Sequence, residues 1–200
     1  QVEGDEVGQL VDCAWAGREG GRQSSALLIL ERDGGLVSYD PAWGSESGSP
    51  QLTRLQLSAA PAGVPTAVGT YEGQFYVLDS VEGGDQIWRY RAQGNAYPRA
   101  PEPYFATLPD NGLRNAVDMA IDGHIYLLYD DETVGKFLGG EGQPFEVRDV
   151  PGGLVEVVGL AVDPGGSGAV YVADRGNDRV VALYPDGRFK AQFHADGAFA

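Results

Sequence analysis

The sequence predicts an all-β chain, a β-propeller of four-stranded antiparallel blades, and three observations carry that expectation. A motif of apolar strand, turn and second apolar strand recurs four times, with Leu28, Tyr76, Tyr126 and Tyr171 at the same place and spacings of 48, 50 and 45 residues. Thirty Gly and twelve Pro among 200 residues stand well above the roughly 12% of average proteins, punctuation that suits many short strands better than long helices. The apolar runs are short and lack strict alternation, as expected of strands whose two faces are both covered by neighbours.

Each repeat opens with a strand, a turn and a second strand, at 11–31, 66–79, 116–128 and 157–174. Third strands are expected at 36–39, 87–90, 134–137 and 180–183, and fourth strands at 52–57, 104–107, 144–147 and 189–193. Asp33-Gly34, Asp122-Gly123 and Asp186-Gly187 fall between successive strands, where Gly accepts positive φ and Asp caps the local backbone. The blades are accordingly placed at 7–58, 65–107, 115–148 and 155–194. One blade alone exposes both faces to water, so stability accumulates only as blades stack.

Composition excludes several classes of function. A net charge of −15 and a pI near 4.3 oppose nucleic acid and anionic lipid surfaces. The apolar run at 26–30 is far too short to cross a membrane, so no direct membrane insertion is expected. A chain that begins Gln1 rather than Met is expected to be a processed product or an excised piece. Cys13 is the single cysteine, which excludes an intrachain disulfide framework and a Cys-rich zinc site; it fills the slot of Met119 and Leu160 and reads as a small buried hydrophobe.

The last repeat, with Val158-Gly159-Leu160-Ala161-Val162-Asp163-Pro164, then Tyr171-Val172-Ala173-Asp174-Arg175-Gly176-Asn177-Asp178-Arg179-Val180-Val181 and Asp186-Gly187-Arg188-Phe189, resembles an NHL repeat. The third repeat keeps the first half of that pattern but has Asp130-Asp131-Glu132-Thr133 where the Asn and Arg of the turn should stand. The whole chain also resembles the propeller region of bacterial proteins that carry a PP2C-like phosphatase domain and a membrane segment upstream. That resemblance implies an extracytoplasmic sensor or interaction module, and no phosphatase residue can be carried onto this chain. NHL propellers usually have six blades, so the four repeats imply part of a longer ring of about six. The terminal blades are then covered by missing sequence or by another chain.

Among candidate binding residues, Asp174, Arg175 and Asn177 form the most marked polar cluster, with Asp79, and Asp130 or Asp131, taken as equivalents of Asp174 in other blades. A ring of carboxylates at one end of the propeller would follow, although Asx residues capping turns, with Arg179 paired to a neighbouring carboxylate, explain the cluster more simply. Trp88 is either an interaction anchor or, by its alignment with Val181, packing between blades. Trp43, in the loop 41–50, is the less constrained aromatic. Asp12, Asp118, Asp122 and Asp163 recur near first strands without the dense spacing of a calcium loop, and His124 and His194 lie in no metal or triad pattern. No catalytic residue, metal ligand or cofactor is assigned.

The expected function is therefore non-catalytic: an interaction or sensory module that displays a propeller end face and its loops to a protein partner or a small ligand. Two alternatives stand beside it, a propeller-type lyase or lactonase using axial carboxylates, and a structural subunit of a larger assembly.

Overall fold

The computed structural model describes residues 3–4, 7–16, 26–41, 49–61, 63–80, 85–93, 96–163 and 166–194, and these form an all-β propeller fold with four antiparallel blades. The only helical element among them is one 3-10 turn, Arg175–Asn177, and none of their helices is long and apolar enough to cross a membrane. The chain divides into two compact units, residues 1–108 and 109–200.

Unit 1 holds blades 1 and 2. Blade 1 is a meander of β2 (Leu10–Ala16), β3 (Ala26–Glu31), β4 (Leu36–Asp40) and β5 (Gln51–Arg54). A two-residue strand, β1 (Glu3–Gly4), joins it by pairing parallel to β5 at the outer edge, an addition without any sequence signal. Blade 2 is β6 (Pro65–Tyr71), β7 (Gln74–Asp79), β8 (Gln86–Tyr90) and β9 (Glu102–Pro103). Unit 2 holds blade 3, with β10 (Ala116–Ile121), β11 (Ile125–Tyr129), β12 (Val134–Leu138) and β13 (Glu141–Gln143), and blade 4, with β14 (Val157–Val162), β15 (Val170–Asp174), β16 (Arg179–Leu183) and β17 (Phe189–His194).

Three expected fourth strands need correction: they end or lie earlier than 52–57, 104–107 and 144–147, because the chain leaves the outer edge soon after the turn to run toward the next blade. In blade 3 the break falls at Pro144, whose ring holds φ near −65° where an antiparallel strand needs about −140°. The Asp-Gly turns stand where expected, with Gly34, Gly123 and Gly187 all at positive φ.

Within unit 1, Leu28, Leu30 and Leu36 of blade 1 share one core with Val68, Phe75, Val77 and Tyr90 of blade 2. Phe75 stacks on Tyr90 at 4.4 Å between ring centroids and meets the edge of Tyr97 at 4.5 Å. Trp88 packs against this core, as its alignment with Val181 suggested: the cross-strand pairs Val77↔Trp88 and Val172↔Val181 match. Cys13 departs from expectation. It is exposed, because its strand position places it across from Ile29, on the opposite face from Leu28 and Leu30. In unit 2, Tyr126, Leu128 and Val134 of blade 3 share a core with Val170, Val172, Val181 and Leu183 of blade 4.

The inner strands of each unit are tied by a carboxylate. Asp12 accepts from its own neighbour Cys13 N at 2.7 Å and from Val68 N of blade 2 at 2.8 Å. Asp118 does the same in unit 2, accepting from Met119 N at 2.7 Å and Leu160 N of blade 4 at 2.6 Å. Burial pushes the Asp12 carboxyl above the usual carboxylate value, with the two N–H donors opposing. Removing the clasp leaves a backbone N–H of the next blade without its acceptor. Asp118→Ala is therefore expected to cost about 1–3 kcal/mol, read from the midpoint of urea unfolding, and Asp118→Asn to recover only part, since an amide has one acceptor oxygen rather than two.

Candidate functional site

Among the described residues the buried acids, Glu31, Asp79 and Asp174, stand at one repeated position. Leu10↔Glu31, Pro65↔Asp79, Ala116↔Tyr129 and Val157↔Asp174 are equivalent cross-strand pairs, each followed by a bulge in the first strand of its blade. At this position the side chain reaches back to the loop that enters the blade. Glu31 accepts from Gly8 N, Asp79 from Gly63 N at 2.7 Å, and Asp174 from Val155 N at 2.9 Å. In blade 3 the residue is Tyr129, whose hydroxyl donates to the Gly112 carbonyl at 3.2 Å. The equivalents of Asp174 and Asp79 are thus Glu31 and Tyr129, not Asp130 or Asp131, which belong to the turn after β11; the repeated position holds a carboxylate in blades 1, 2 and 4 and a phenol in blade 3. The spacing of Leu28, Tyr76, Tyr126 and Tyr171 would have located them, three residues further on in each blade.

The ion pairs around these acids differ in burial. Arg54 holds the Glu31 carboxyl below its ordinary value through a hydrogen bond, so this contribution to stability is present above the normal glutamate range and is lost as pH falls through the lowered value. Asp174 and Arg179 are both buried, with Arg179 Nε on Asp174 Oδ2 at 2.7 Å. The rest of the guanidinium donates to Pro151 O at 2.8 Å, to Gln192 Oε1 at 2.7 Å and to Gly153 O. Asn177 Nδ2 adds Gly153 O at 3.3 Å and both Asp174 oxygens. One buried salt bridge therefore grips the exposed loop from Pro151 to Val155 through its carbonyls, with charge-assisted hydrogen bonds that fix the loop on the body of the blade.

That loop is one wall of a groove. After Pro144 the chain crosses to blade 4, where Arg148 N donates to Gly187 O at 3.2 Å, Phe189 N donates to Arg148 O at 3.0 Å, and the Arg148 side chain pairs with Asp186 at 2.8 Å. Gly187 permits this approach: a Cβ there would lie 2.2 Å from the Glu146 carbonyl oxygen. Between the crossing segment, the gripped loop and the turn into β12 lies a half-open cavity of about 510 Å³. Val134, Phe145, Val147, Val150 and Leu154 give it an apolar floor, and Glu132, Thr133, Glu146, Arg148 and Asp149 a polar rim. Its volume lies within the range of small-ligand and peptide sites. The core of unit 2 is built from smaller side chains than that of unit 1: the cross-strand pair Phe75↔Tyr90 of unit 1 corresponds to Val170↔Leu183 of unit 2, and Tyr97, which fills space in unit 1, has no counterpart in the tight turn between β16 and β17.

Of the residues singled out from sequence, Asp174, Arg175 and Asn177 come together behind this groove. Arg175 pairs with Glu156 at 3.2 Å on the surface. Asp79 and Trp88 lie in unit 1, the first buried at its loop and the second against the core. Trp43 falls outside the described residues. Asp122 caps its turn, accepting from His124 N at 3.0 Å, and Asp163 caps another through Ser167 N at 3.2 Å. Among the described residues no three His, Cys, Asp or Glu side chains gather as a metal site. The floor and rim of the groove were missed from sequence, because 144–147 reads as an ordinary outer strand and only Pro144 hints at the crossing.

No family model matches the chain. No curated protein matches it. Solved structures do. The chain is similar to one from the crystal structure of a nidogen/laminin complex, at 14% identity and a TM-score of 0.54, covering 94% of this chain and 80% of that one. It is similar to a protein of unknown function from Bacteroides thetaiotaomicron at 15% identity and a TM-score of 0.56, covering 91% of this chain and 43% of that one. A protein of unknown function from Bacteroides caccae gives 14% identity and a TM-score of 0.55, over 94% of this chain and 61% of that one. At such identities the likeness establishes the propeller fold and nothing finer.

Proposed function

We propose that the protein is a non-catalytic interaction module whose binding surface is the groove of unit 2. The observation that carries this reading is the rigid back of that groove: a buried Arg179–Asp174 pair and Asn177 fix a loop that a short connection between strands would not need fixed. Asp174, Asn177 and Arg179 position the wall, while Arg175 extends the same end face into solvent. Asp79 and Trp88 serve unit 1, and Trp43 is kept as a contact candidate on its loop alone.

The NHL-like pattern of blade 4 and the resemblance to propellers of bacterial membrane-anchored, PP2C-like phosphatases support a sensory role on the extracytoplasmic side, with a protein or small ligand as the partner. The face of blade 4 turned away from blade 3 supports the further expectation that additional sequence or another chain covers it: Phe193 is 55% exposed there, beside half-buried Val180 and Tyr171.

A peptide-display selection against the whole chain tests the groove. Selected peptides are expected to bind the Leu154→Trp variant, whose floor is filled, at least ~10-fold more weakly than the native protein, and to bind Trp15→Ala normally. Peptides that bind Leu154→Trp undiminished would overturn this assignment.

A further inference from the structure

The open strand edge inside the groove, its apolar floor and the charge of its rim together define a class of partner. In blade 1 the outer chain stays on its neighbour at Leu36, whose carbonyl accepts from Leu55 N at 2.8 Å. Val134 is the corresponding residue of blade 3, since Leu30↔Leu36 and Leu128↔Val134 are matching pairs. There, pairing of β12 with β13 stops at Lys136↔Gln143. Phe145, which would have come next opposite Val134, has left with the crossing segment. Among the described residues no main-chain group pairs with Val134 on that side. This unpaired edge is one residue long and lies at the inner wall of the groove, where Val134 is 6% exposed, and an extended peptide reaching that wall satisfies it with its own N–H and C=O groups.

Charge narrows the occupant further. Glu132, Glu146 and Asp149 form no ion pair among the described residues. Of the basic groups nearby, Arg148 is paired with Asp186 at 2.8 Å, so the Lys136 ammonium, on the neutral Pro185 carbonyl at 3.2 Å, is left as one positive charge against three carboxylates. The rim therefore carries uncompensated negative charge on a chain of net charge −15, which attracts cationic segments and repels acidic ones.

Resting on the interaction-module reading above, we propose that the groove binds an extended basic segment of a partner protein. Its main chain pairs with the Val134 edge, an apolar side chain sits on Phe145, Val147 and Leu154, and flanking Lys or Arg side chains meet Glu132, Glu146 and Asp149. The segment is a β-strand addition directed by charge.

The probes are two synthetic pentapeptides with blocked ends, Lys-Val-Lys-Val-Lys and Glu-Val-Glu-Val-Glu, titrated into the isotopically labelled full chain and followed by amide NMR. The basic peptide is expected to shift Thr133, Val134 and residues 145–154, to weaken as salt rises from about 0.05 to 0.5 M, and to lose at least ~10-fold in affinity to the combined Glu132→Gln, Glu146→Gln, Asp149→Asn variant. Methylating its central amide nitrogen is expected to weaken it further, since that removes a strand donor. These three side chains make no hydrogen bond or ion pair among the described residues, so the variant is expected to keep its thermal midpoint, which is measured alongside so that the comparison is one of binding. Equal binding of the acidic peptide, or no loss with the charge variant, overturns the basic partner. If the basic peptide fails while display-selected peptides still map to the groove, the partner class falls and the module stands; if nothing maps there, both fall.

Discussion

Replacing Arg179 by methionine is expected to destabilise the protein by about 3–5 kcal/mol, the range for stripping one partner from a buried ion pair. Arg179 is 4% exposed and Asp174 fully buried, so the orphaned carboxylate cannot turn to water. The same substitution also removes the guanidinium donors from the carbonyls of Pro151 and Gly153, leaving Gly153 O with Asn177 alone. A second variant separates the two contributions. Asp174→Asn combined with Arg179→Met removes the stranded charge but keeps an acceptor for Val155 N, and is expected to recover about 1–2 kcal/mol of the loss, measured by urea unfolding. Should the double variant be no more stable than Arg179→Met, the cost would lie in the loop carbonyls rather than in the charge. Amide exchange at Gly153 and Val155 provides the functional readout: both are expected to exchange faster in Arg179→Met, because the wall of the groove then loses the guanidinium and keeps only Asn177, the Asp174–Val155 hydrogen bond and its backbone bonds.

Phe75→Ala is expected to cost a similar ~3–5 kcal/mol, as for other truncations of buried aromatic residues. Its ring is wholly buried and lies between two others, stacked on Tyr90 and edge-on to Tyr97. Truncation removes transfer energy from one ring and leaves the other two facing a void. Val170→Ala, at the corresponding position of unit 2, removes fewer atoms and is expected to cost clearly less, with the difference read from chemical-denaturation midpoints. Equal losses at the two positions would show that aromatic filling in unit 1 does not distinguish it energetically from the aliphatic packing of unit 2.

Both expectations turn on features of unequal visibility. The repeat of Leu28, Tyr76, Tyr126 and Tyr171 was legible because strand pairing imposes a period of two within a strand and one blade length between strands. The turns at Asp33-Gly34, Asp122-Gly123 and Asp186-Gly187 were legible because their backbone shape demands those residues. Asp174 and Asn177 stood out as polar residues in an apolar run, but their role depends on backbone groups some twenty residues earlier, the Val155 N–H for Asp174 and the Gly153 carbonyl for Asn177, which carry no side-chain signature. Cys13 was misjudged for a related reason. Its slot in the repeat is shared with buried Met119, while its burial depends on what lies against that face.

What the sequence determined by itself is the blade: local pattern sets which residues form strands, where turns fall and which side chains share a face, since these depend on neighbours a few positions away. Only the tertiary structure decided where a blade comes apart. The departure of the chain at Pro144 toward the turn of blade 4, the grip of Arg179 on a loop more than twenty residues earlier, and the cavity between the crossing segment and the turn into β12 all arise from tertiary contacts, and packing across such a contact depends on volumes and hydrogen bonds contributed by segments far apart in the chain.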